Sequence, residues 1–272
     1  MKNLQNRVAV VTGAGSGIGR EICLALARHG VDVAAVDVRP ETAQRTVDAV
    51  RALGREASAH QADVSDAARM QRLPDDVRAV HGACHILVNN AGVTSAGAFE
   101  KETLEDLQWI VGINVWGMLH GCHAFLPLLR EQDEAHIVNV SSMVGLVGLP
   151  HNAIYALTKG AVRSFSESLR AELITTNIGV TTVFPGTHRT GITESARGSQ
   201  GARLADLGRS RWAEVVMPSP KRLARRVVRA IERDRARVVA GPDARALDVW
   251  SRIAPGRVGA IGQVTNRLDN SE

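Results

Sequence analysis

The chain contains a single tyrosine, Tyr155, which stands four residues before Lys159, one of four lysines among its 272 residues. In a helix this spacing places both side chains on one face. A phenol with an ordinary pKa of about 10 is a poor base at neutral pH, but an ammonium at about 5 Å favours the phenolate by roughly 3 kcal/mol, or about two pKa units. The pair therefore predicts a tyrosine that can serve as a general acid or base. The alternative is an amphipathic pair, with the phenol half-buried and the amine in water.

A serine at a strand end favours the catalytic interpretation. The apolar run from Ile137 to Ser142 is typical of a buried strand, and it ends thirteen residues before Tyr155. The Ser142 hydroxyl is therefore expected at the carboxyl edge of a sheet, where α/β proteins bind their ligands.

A glycine-rich turn, Thr12–Gly19, follows the first predicted strand and opens a helix. Its glycines permit a tight turn and let a pyrophosphate approach backbone N–H groups at the positive end of the helix. The spacing Gly13-x-x-x-Gly17-x-Gly19 differs from the commonest dinucleotide-binding fingerprint. The alternative is a tight strand-to-helix turn that holds no ligand.

An acidic residue at the end of the second predicted strand indicates which dinucleotide would bind at this turn. Asp37 ends the second predicted strand, 24 residues after Gly13, where a carboxylate can accept hydrogen bonds from the adenosine ribose hydroxyls. It also repels a 2′-phosphate, by roughly 4 kcal/mol for unit charges about 4 Å apart. NAD is therefore predicted in preference to NADP, although Arg39 weakens that preference.

Apolar β-branched runs alternate with stretches of helical spacing along the chain, a pattern typical of a parallel sheet. Strands are predicted over Arg7–Thr12, Val31–Asp37, Glu56–His60, His85–Asn89, His136–Ser141, Gly179–Phe184 and Arg237–Ala240. Helices are predicted over Gly17–His29, Glu41–Leu53, Asp66–Val80, Thr103–Arg130, Asn152–Thr176, Pro220–Arg233 and Ala244–Ile253. The predicted fold class is α/β: a single-domain, Rossmann-like, doubly wound parallel sheet with helices on both faces.

No linker divides the chain, so one domain is predicted over 1–254, with a lid insertion at about 187–218 and a tail over 255–272. A hydrophobic content of 44% and a charged content of 22% exclude a disordered chain. Three scattered cysteines, Cys23, Cys84 and Cys122, exclude a disulfide framework and are interpreted as core residues. The first residues resemble neither a signal peptide nor a spanning helix, so a cytoplasmic location without membrane insertion is expected.

The positive charge is concentrated in one segment. Residues 203–237 hold 11 Lys/Arg against 4 Asp/Glu, within a chain of net charge +5. A nucleic-acid or anionic-membrane face is one interpretation. We favour an amphipathic helix over 220–233 that covers the sheet with its arginines in solvent, and we expect no nucleic-acid partner.

Several motifs together resemble those of the short-chain dehydrogenase/reductase family, in its compact form, over residues 7 to about 240. The matching residues are Thr12–Gly19, Asp63, Val64, Asn89–Gly92, Asn114, Ser142, Tyr155–Lys159, Pro185, Gly186 and Thr190. The resemblance implies that Tyr155 is the general acid/base and that Ser142 binds the substrate oxygen. It also implies that Lys159 binds the nicotinamide ribose and lowers the phenol pKa, and that Asn114 holds a water beside it.

The same resemblance implies a dinucleotide site. The residues assigned to it are Gly13, Ser16, Gly17, Ile18, Gly19, Asp37, Asp63, Val64, Asn90, Ala91, Gly92, Tyr155, Lys159, Pro185, Gly186 and Thr190. Asp63 would contact the adenine amine, Asn90 would line the nucleotide path, and Thr190 would hold the carboxamide side. The alternatives are that Asn89, Asn90 and Asn114 satisfy backbone groups and that Asp63 is a cap or turn residue.

The expected reaction is hydride transfer between nicotinamide and a secondary alcohol or ketone, without a metal. Apolar substrates are expected from the predicted walls: Thr94, Ser95, Met143, Val144, Leu146, Leu149, His151 and the lid from Thr187. Arg189 is interpreted either as a ligand for a substrate carboxylate or, the interpretation we favour, as a residue in solvent. A homodimer or homotetramer is expected; Gly241–Asp243 replaces the glycine-rich ending that builds the family's tetramer contact, which argues against the larger assembly. The rivals are a non-catalytic nucleotide-sensing regulator and an epimerase or dehydratase.

Overall fold

The computed structural model describes residues 1–186, 196–199 and 219–257. Seven parallel strands form one sheet in the order β3-β2-β1-β4-β5-β6-β7. The strands are β1 (Val8–Thr12), β2 (Asp32–Asp37), β3 (Ala57–Gln61), β4 (Ile86–Asn89), β5 (Ala135–Val140), β6 (Ile178–Pro185) and β7 (Arg237–Ala240). All seven predicted strands are confirmed. The inner strands are apolar and β-branched, as burial on both faces requires, whereas the edge strand β3 (Ala57–Gln61) is more polar and partly exposed.

Helices cover both faces of the sheet. They are α1 (Gly17–Ala27), α2 (Pro40–Arg51), α3 (Ala67–His81), α4 (Leu104–Val111), α5 (Gly117–Arg130), α6 (Ala153–Glu172), α7 (Pro220–Glu232) and α8 (Pro242–Ile253). Helices α1, α2 and α7 share one apolar cluster with Ala9 and Val11 of β1, whereas α3, α5 and α6 share the other cluster with Val10. The alternation along β1 shows a core on each side, so the predicted doubly wound single domain is confirmed.

One predicted helix is confirmed in its extent but is not regular throughout. The stretch Thr103–Arg130 is two helices, α4 and α5, joined by a π-helical turn at Gly112–Trp116. Such a turn adds a residue to the helical repeat and is frequent at functional sites. It turns the Asn114 amide inward, where that residue is only 2% exposed.

The other helices differ from prediction only at their ends. The largest difference is in α6, which stops at Glu172 rather than Thr176, because a turn closes on Leu173 O with the N–H and hydroxyl of Thr176. All three cysteines are buried free thiols, as predicted. In the described part of the chain, no helix has the length and apolar character needed to span a membrane. Most of the predicted lid, the tail from residue 258 and Thr190 lie outside the described residues.

Candidate active site

The carboxyl ends of β1, β4 and β5 lie side by side in the middle of the sheet. Parallel pairing places Val11 opposite Val88 and Asn89 opposite Asn139, so the loops after these strands leave the sheet at one edge. This edge brings the glycine-rich turn, the asparagine pair and the serine together, although they are distant in sequence. It is the edge where ligands bind in open α/β sheets.

The glycine-rich turn depends on its glycines. Gly13 has a φ of +62°, which disfavours residues with a side chain. A Cβ on Gly19 would lie 2.2 Å from Gly13 O, so the first turn of α1 packs directly on the loop. Ser16 is the N-cap of α1, yet its side chain makes no capping hydrogen bond, and the first turn carries no acid. The N-terminus of α1 therefore presents backbone N–H groups to an anion.

Asp37 is held rigidly at the end of β2. Its Oδ2 accepts a hydrogen bond from Gly15 N at 2.8 Å, and its Oδ1 accepts one from Arg39 N at 3.0 Å. Thr42 Oγ1 donates a further bond to Oδ1 at 3.3 Å. The Arg39 side chain is exposed. The carboxylate is thus fixed by backbone donors beside the glycine turn.

The asparagines at the end of β4 satisfy polar groups in the described structure. Asn90 Nδ2 donates to Thr12 O at 2.9 Å and to Gly13 O at 3.2 Å, which ties the glycine turn to β4. Asn89 Nδ2 donates to Asn139 Oδ1 at 2.9 Å. Asp63 is exposed and closes a turn by accepting from Ser65 N at 2.9 Å, while Val64 is buried. The alternatives stated for Asn90 and Asp63 therefore describe contacts that exist, whereas Asn89 bonds the side chains of Asn139 and Cys122 rather than backbone groups.

Two threonines support the site through hydrogen bonds, although the sequence analysis assigned neither of them an individual function. Thr12 Oγ1 accepts hydrogen bonds from Asn90 N at 3.0 Å and Ala91 N at 3.1 Å. Thr158 Oγ1 accepts from Asn114 Nδ2 at 3.1 Å and donates to Tyr155 O at 2.8 Å. The sequence could have indicated this role, because a threonine at a buried strand or helix position usually hydrogen-bonds nearby backbone groups.

Tyr155, Ser142 and Lys159 meet at the start of α6. Ser142, in extended backbone, caps the short 3₁₀ turn Met143–Gly145, and its hydroxyl lies near enough to the half-buried Tyr155 to lower the phenol pKa. Lys159 Nζ lies 5.8 Å from the centroid of the Tyr155 ring. Lys159 is only 3% exposed, and its ammonium donates to Val140 O at 3.1 Å. The alternative of a lysine that reaches to water is therefore wrong.

Burial dominates the electrostatics of this pair. It raises the pKa of Tyr155 to about 12, against a smaller lowering by the Ser142 hydrogen bond. It lowers the pKa of Lys159 to about 8. The predicted net lowering of the phenol pKa is therefore not found in the protein alone. The physical reason is that desolvation of the phenol outweighs the lowering that comes from Ser142.

Asn114 clamps the loop after β4 to α6. Its Oδ1 accepts from Val93 N at 2.8 Å, and its Nδ2 donates to Val93 O at 2.9 Å. A Cβ built on Gly92 would lie 3.1 Å from Asn114 Oδ1 and 3.2 Å from Lys159 Nζ. Gly92 thus keeps a small space open between the amide and the ammonium, which suits a small polar group such as water.

The predicted substrate walls are only partly in place. Leu146 does not line the cleft, because it packs with Phe184, Val147 and Leu247 in a separate cluster. Ser95 is 1% exposed, and its Oγ donates to Glu102 Oε2 at 2.7 Å. Arg197, which sequence reasoning missed, pairs its backbone with Ser95 and stacks its guanidinium 4.2 Å from the Trp109 ring centroid. Only a fold could reveal that contact between distant segments.

Comparison with known proteins decides the family. A family model described as short chain dehydrogenase matches residues 7–201. The chain belongs to the short-chain dehydrogenase/reductase family. It is an oxidoreductase of that family, with the fold that the sequence predicts.

Three similar proteins illustrate how far this family likeness extends. The oxidoreductase SadH of Mycobacterium tuberculosis is 34% identical over 255 residues, which cover 93% of this chain and 92% of SadH. A cyclohexanol dehydrogenase of Acinetobacter is 30% identical over 205 residues, 75% of this chain and 82% of the relative. A short-chain dehydrogenase/reductase of Burkholderia phymatum, crystallised with NAD, has a TM-score of 0.86, with 31% identity and 96% of each chain covered.

The residues of this short-chain dehydrogenase/reductase fit a nicotinamide dinucleotide. The uncapped N-terminus of α1 suits a pyrophosphate, and Asp37 stands beside it. The Lys159 ammonium carries three N–H donors, of which Val140 O accepts one, so donors are left for ribose hydroxyls. Among the described residues, no group of three or more His, Cys, Asp or Glu side chains is placed to hold a metal ion.

Proposed function

We propose that this chain interconverts a secondary alcohol and a ketone, with NAD as its cofactor and a small apolar molecule as its substrate. The observation that carries the proposal is the placement of Tyr155 between Ser142, whose hydroxyl is near enough to lower the phenol pKa, and the buried Lys159, whose ammonium lies 5.8 Å from the ring centroid. A bound nicotinamide dinucleotide supplies or accepts the hydride. The chain's own side chains handle the proton and the substrate oxygen.

Tyr155 is the proposed acid and base. Because burial raises its pKa to about 12, the phenol is protonated at neutral pH and is ready to act as an acid in ketone reduction. Its proton passes to the carbonyl oxygen, while the Ser142 hydroxyl donates a hydrogen bond to the same oxygen. Lys159 favours the phenolate left behind, and Asn114 positions the loop that faces the lysine.

The proposed preference for NAD rests on Asp37. Its carboxylate is fixed by the N–H groups of Gly15 and Arg39, so it cannot turn away from a 2′-phosphate without losing both bonds. In line with this, a structural relative was crystallised with NAD. For Asp63, Val64, Asn90, Pro185, Gly186 and Thr190, the cofactor contacts implied by the family resemblance stay part of the proposal.

An apolar substrate is supported by the cleft residues and by one relative. Val144 is buried beside Ser142, and Met143 and Leu149 are partly exposed at the same loop. A relative that is 30% identical is a cyclohexanol dehydrogenase, which acts on a small apolar secondary alcohol. Apolar walls favour such substrates by about 25 cal/mol per Å² buried.

We also propose a homodimer or homotetramer in a reducing, cytoplasmic environment. Leu104, Trp116 and Leu157 expose large apolar surfaces on α4, the π turn and α6. Free thiols at all three cysteines fit a reducing compartment. Sedimentation velocity at several protein concentrations tests the assembly, and a monomer at micromolar concentration would contradict it.

The experiment that tests the function is turnover with NAD and a panel of alcohols, followed as NADH absorbance at 340 nm. The panel pairs cyclohexanol and linear secondary alcohols with hydroxy acids of similar size. We expect NADH with the uncharged alcohols and a rate at least tenfold lower with the acids. No NADH from any alcohol would favour a nucleotide-sensing regulator, and product formation without NADH would favour an epimerase or dehydratase.

A further inference from the structure

A groove lined with arginines runs along the edge strand β7, between α7 and α8. Its larger cavity, of about 400 Å³, is bordered by five arginines of the described chain: Arg222, Arg225, Arg226, Arg229 and Arg245. A second cavity of about 280 Å³ shares Arg226, Arg229 and Arg245 with the first. The two cavities therefore form one continuous groove, which extends toward Arg233 and Arg235.

The central arginines of this groove are not neutralised. Within the described residues, no carboxylate lies within ion-pair distance of Arg226, Arg229 or Arg245. The pKa of Arg226 is lowered by burial and by the positive charges of Arg245 and Arg229. On α8, Asp248 pairs with Arg237 at 2.8 Å, and Asp243 Oδ1 occupies the space where a side chain on Gly186 or Gly241 would lie.

A high arginine content does not by itself explain the cluster. Several arginines elsewhere are paired with acids, as in Arg55 with Asp32 at 2.8 Å, Arg78 with Glu131 at 2.7 Å and Arg170 with Asp234 at 2.9 Å. The groove differs from these pairs and from isolated surface arginines, since three like charges border one concavity. An anion in the groove would relieve that repulsion and make charge-assisted hydrogen bonds.

The shape of the groove selects among anions. Leu223, Ala240 and Pro242 contribute aliphatic surface between the guanidinium groups. Arg222, Arg226 and Arg229 stand on successive turns of α7, so their charges repeat at about 5 Å along the helix. A concave site between two helices suits a small molecule with several anionic groups better than a convex nucleic-acid duplex. Guanidinium forks match the oxygens of phosphate in particular.

We propose that this groove is a second ligand site, which binds a small molecule carrying two or more phosphate groups. It is separate from the site at the glycine-rich turn, because β7 lies four strands from β1, roughly 19 Å across the sheet. Its upper end adjoins the proposed active site, since Gly186 N donates to Ala240 O at 2.7 Å. The proposal does not depend on the reaction proposed above.

Isothermal titration calorimetry with inorganic tripolyphosphate tests the site, in 150 mM NaCl, with and without saturating NAD. We expect one binding event that persists when NAD fills the glycine-rich turn. The triple variant Arg226→Gln/Arg229→Gln/Arg245→Gln should bind at least tenfold more weakly. Its matched control is Arg45→Gln/Arg72→Gln/Arg130→Gln, three exposed arginines elsewhere with the same change of charge. That control should bind within about twofold of the wild type.

Thermal melting keeps the test independent of folding. The groove variant loses the bond from Arg226 Nη1 to Val239 O but also loses repulsion among three charges, so it should melt close to the control. An equal loss of affinity in both triple variants would mean bulk charge attraction and would overturn the proposal. So would the absence of any heat from tripolyphosphate with the wild type. A tenfold preference for a 12-nucleotide single strand or for a polyglutamate peptide over tripolyphosphate would overturn it in favour of a macromolecular partner.

Discussion

Strand β5 has a buried titratable group near each of its ends, and the two ends differ in what surrounds that group. At the amino end, His136 is 1% exposed, and burial lowers its pKa to about 3. Just beyond the carboxyl end, Lys159 is 3% exposed and its pKa falls to about 8 for the same reason. Burial thus perturbs both groups, and a perturbed pKa alone does not mark a functional site.

His136 and Lys159 differ in whether their N–H donors are all used by the protein. His136 Nε2 contacts Thr181 Oγ1 at 2.7 Å, and that hydroxyl donates to Arg235 O at 2.6 Å, so Thr181 accepts the histidine N–H. Lys159 instead has N–H donors beyond the one that Val140 O accepts, next to the space kept by Gly92. We infer that the histidine serves the fold and the lysine serves the reaction.

The largest expected effect concerns the phenol beside the lysine. Tyr155→Phe keeps the ring and removes only the hydroxyl, so kcat/KM should fall by at least about 10³, or about 4 kcal/mol of transition-state stabilisation. The unfolding midpoint in urea and the affinity for NAD should stay close to those of the wild type. Steady-state kinetics and calorimetry measure the two. Activity within tenfold of the wild type would exclude Tyr155 as the proton carrier.

The second-largest effect is expected at Lys159, where one substitution should lower catalytic activity and raise stability. Lys159→Met should lower kcat/KM by about 10². A pKa of about 8 in the fold against an ordinary 10.5 means that burial of the ammonium costs about 3 kcal/mol below pH 8. With loss of the bond to Val140 O, worth about 1 kcal/mol, the variant should gain on the order of 2 kcal/mol in stability at pH 7.

The stability difference between the wild type and Lys159→Met should depend on pH. Between pH 8 and 10.5 the unfolded lysine holds a proton that the folded one has lost, so wild-type stability should rise with pH relative to the variant. Urea titrations at pH 7 and 9.5 measure the change. Lys101→Met, at an exposed position, is the control and should shift neither quantity. A less stable Lys159→Met at pH 7 would indicate that the lysine is structural, like His136.

Much of this comparison was accessible from the sequence, for physical reasons. Parallel strands buried on both faces must be apolar, so the inner strands β1, β2, β4, β5 and β6 could be predicted from the printed residues. The π turn at Asn114 could not, because it lies inside one continuous helical stretch and no residue type in it marks a wider turn. The pKa of Tyr155 was misjudged, because desolvation depends on packing from distant segments. Arg197 was missed for the same reason, since its contact with Trp109 is tertiary.

A smaller effect is expected at the opposite end of the cofactor site. Asp37→Asn keeps the size of the side chain and its acceptor at Oδ1 but removes the charge. The ratio of kcat/KM for NADP to that for NAD should rise roughly 30-fold, or about 2 kcal/mol, because solvent screens part of the repulsion. Asp48→Asn, at an exposed position on α2, is the control. An unchanged ratio would mean that Asp37 only braces the turn through Gly15 and Arg39.

The smallest effect tests the histidine itself. His136 has a folded pKa of about 3, below its ordinary 6.5, so the neutral ring adds no pH dependence above about pH 6.5. As the pH falls below 6.5, His136 binds a proton in the unfolded chain but not in the folded one, so the free energy of unfolding decreases. Between pH 7.5 and 5 this amounts to on the order of 2 kcal/mol for the wild type.

His136→Gln removes that titration and keeps a donor for Thr181 Oγ1. The variant should therefore lose about 2 kcal/mol less than the wild type over the same pH interval, as measured by urea unfolding, while kcat/KM at pH 7.5 stays within about twofold. The other histidines whose pKa values are lowered by burial, His60, His81 and His85, titrate in both proteins and cancel in the difference. Equal pH dependence in both proteins, or a large loss of kcat/KM in the variant, would mean that the two ends of β5 do not divide structure from catalysis.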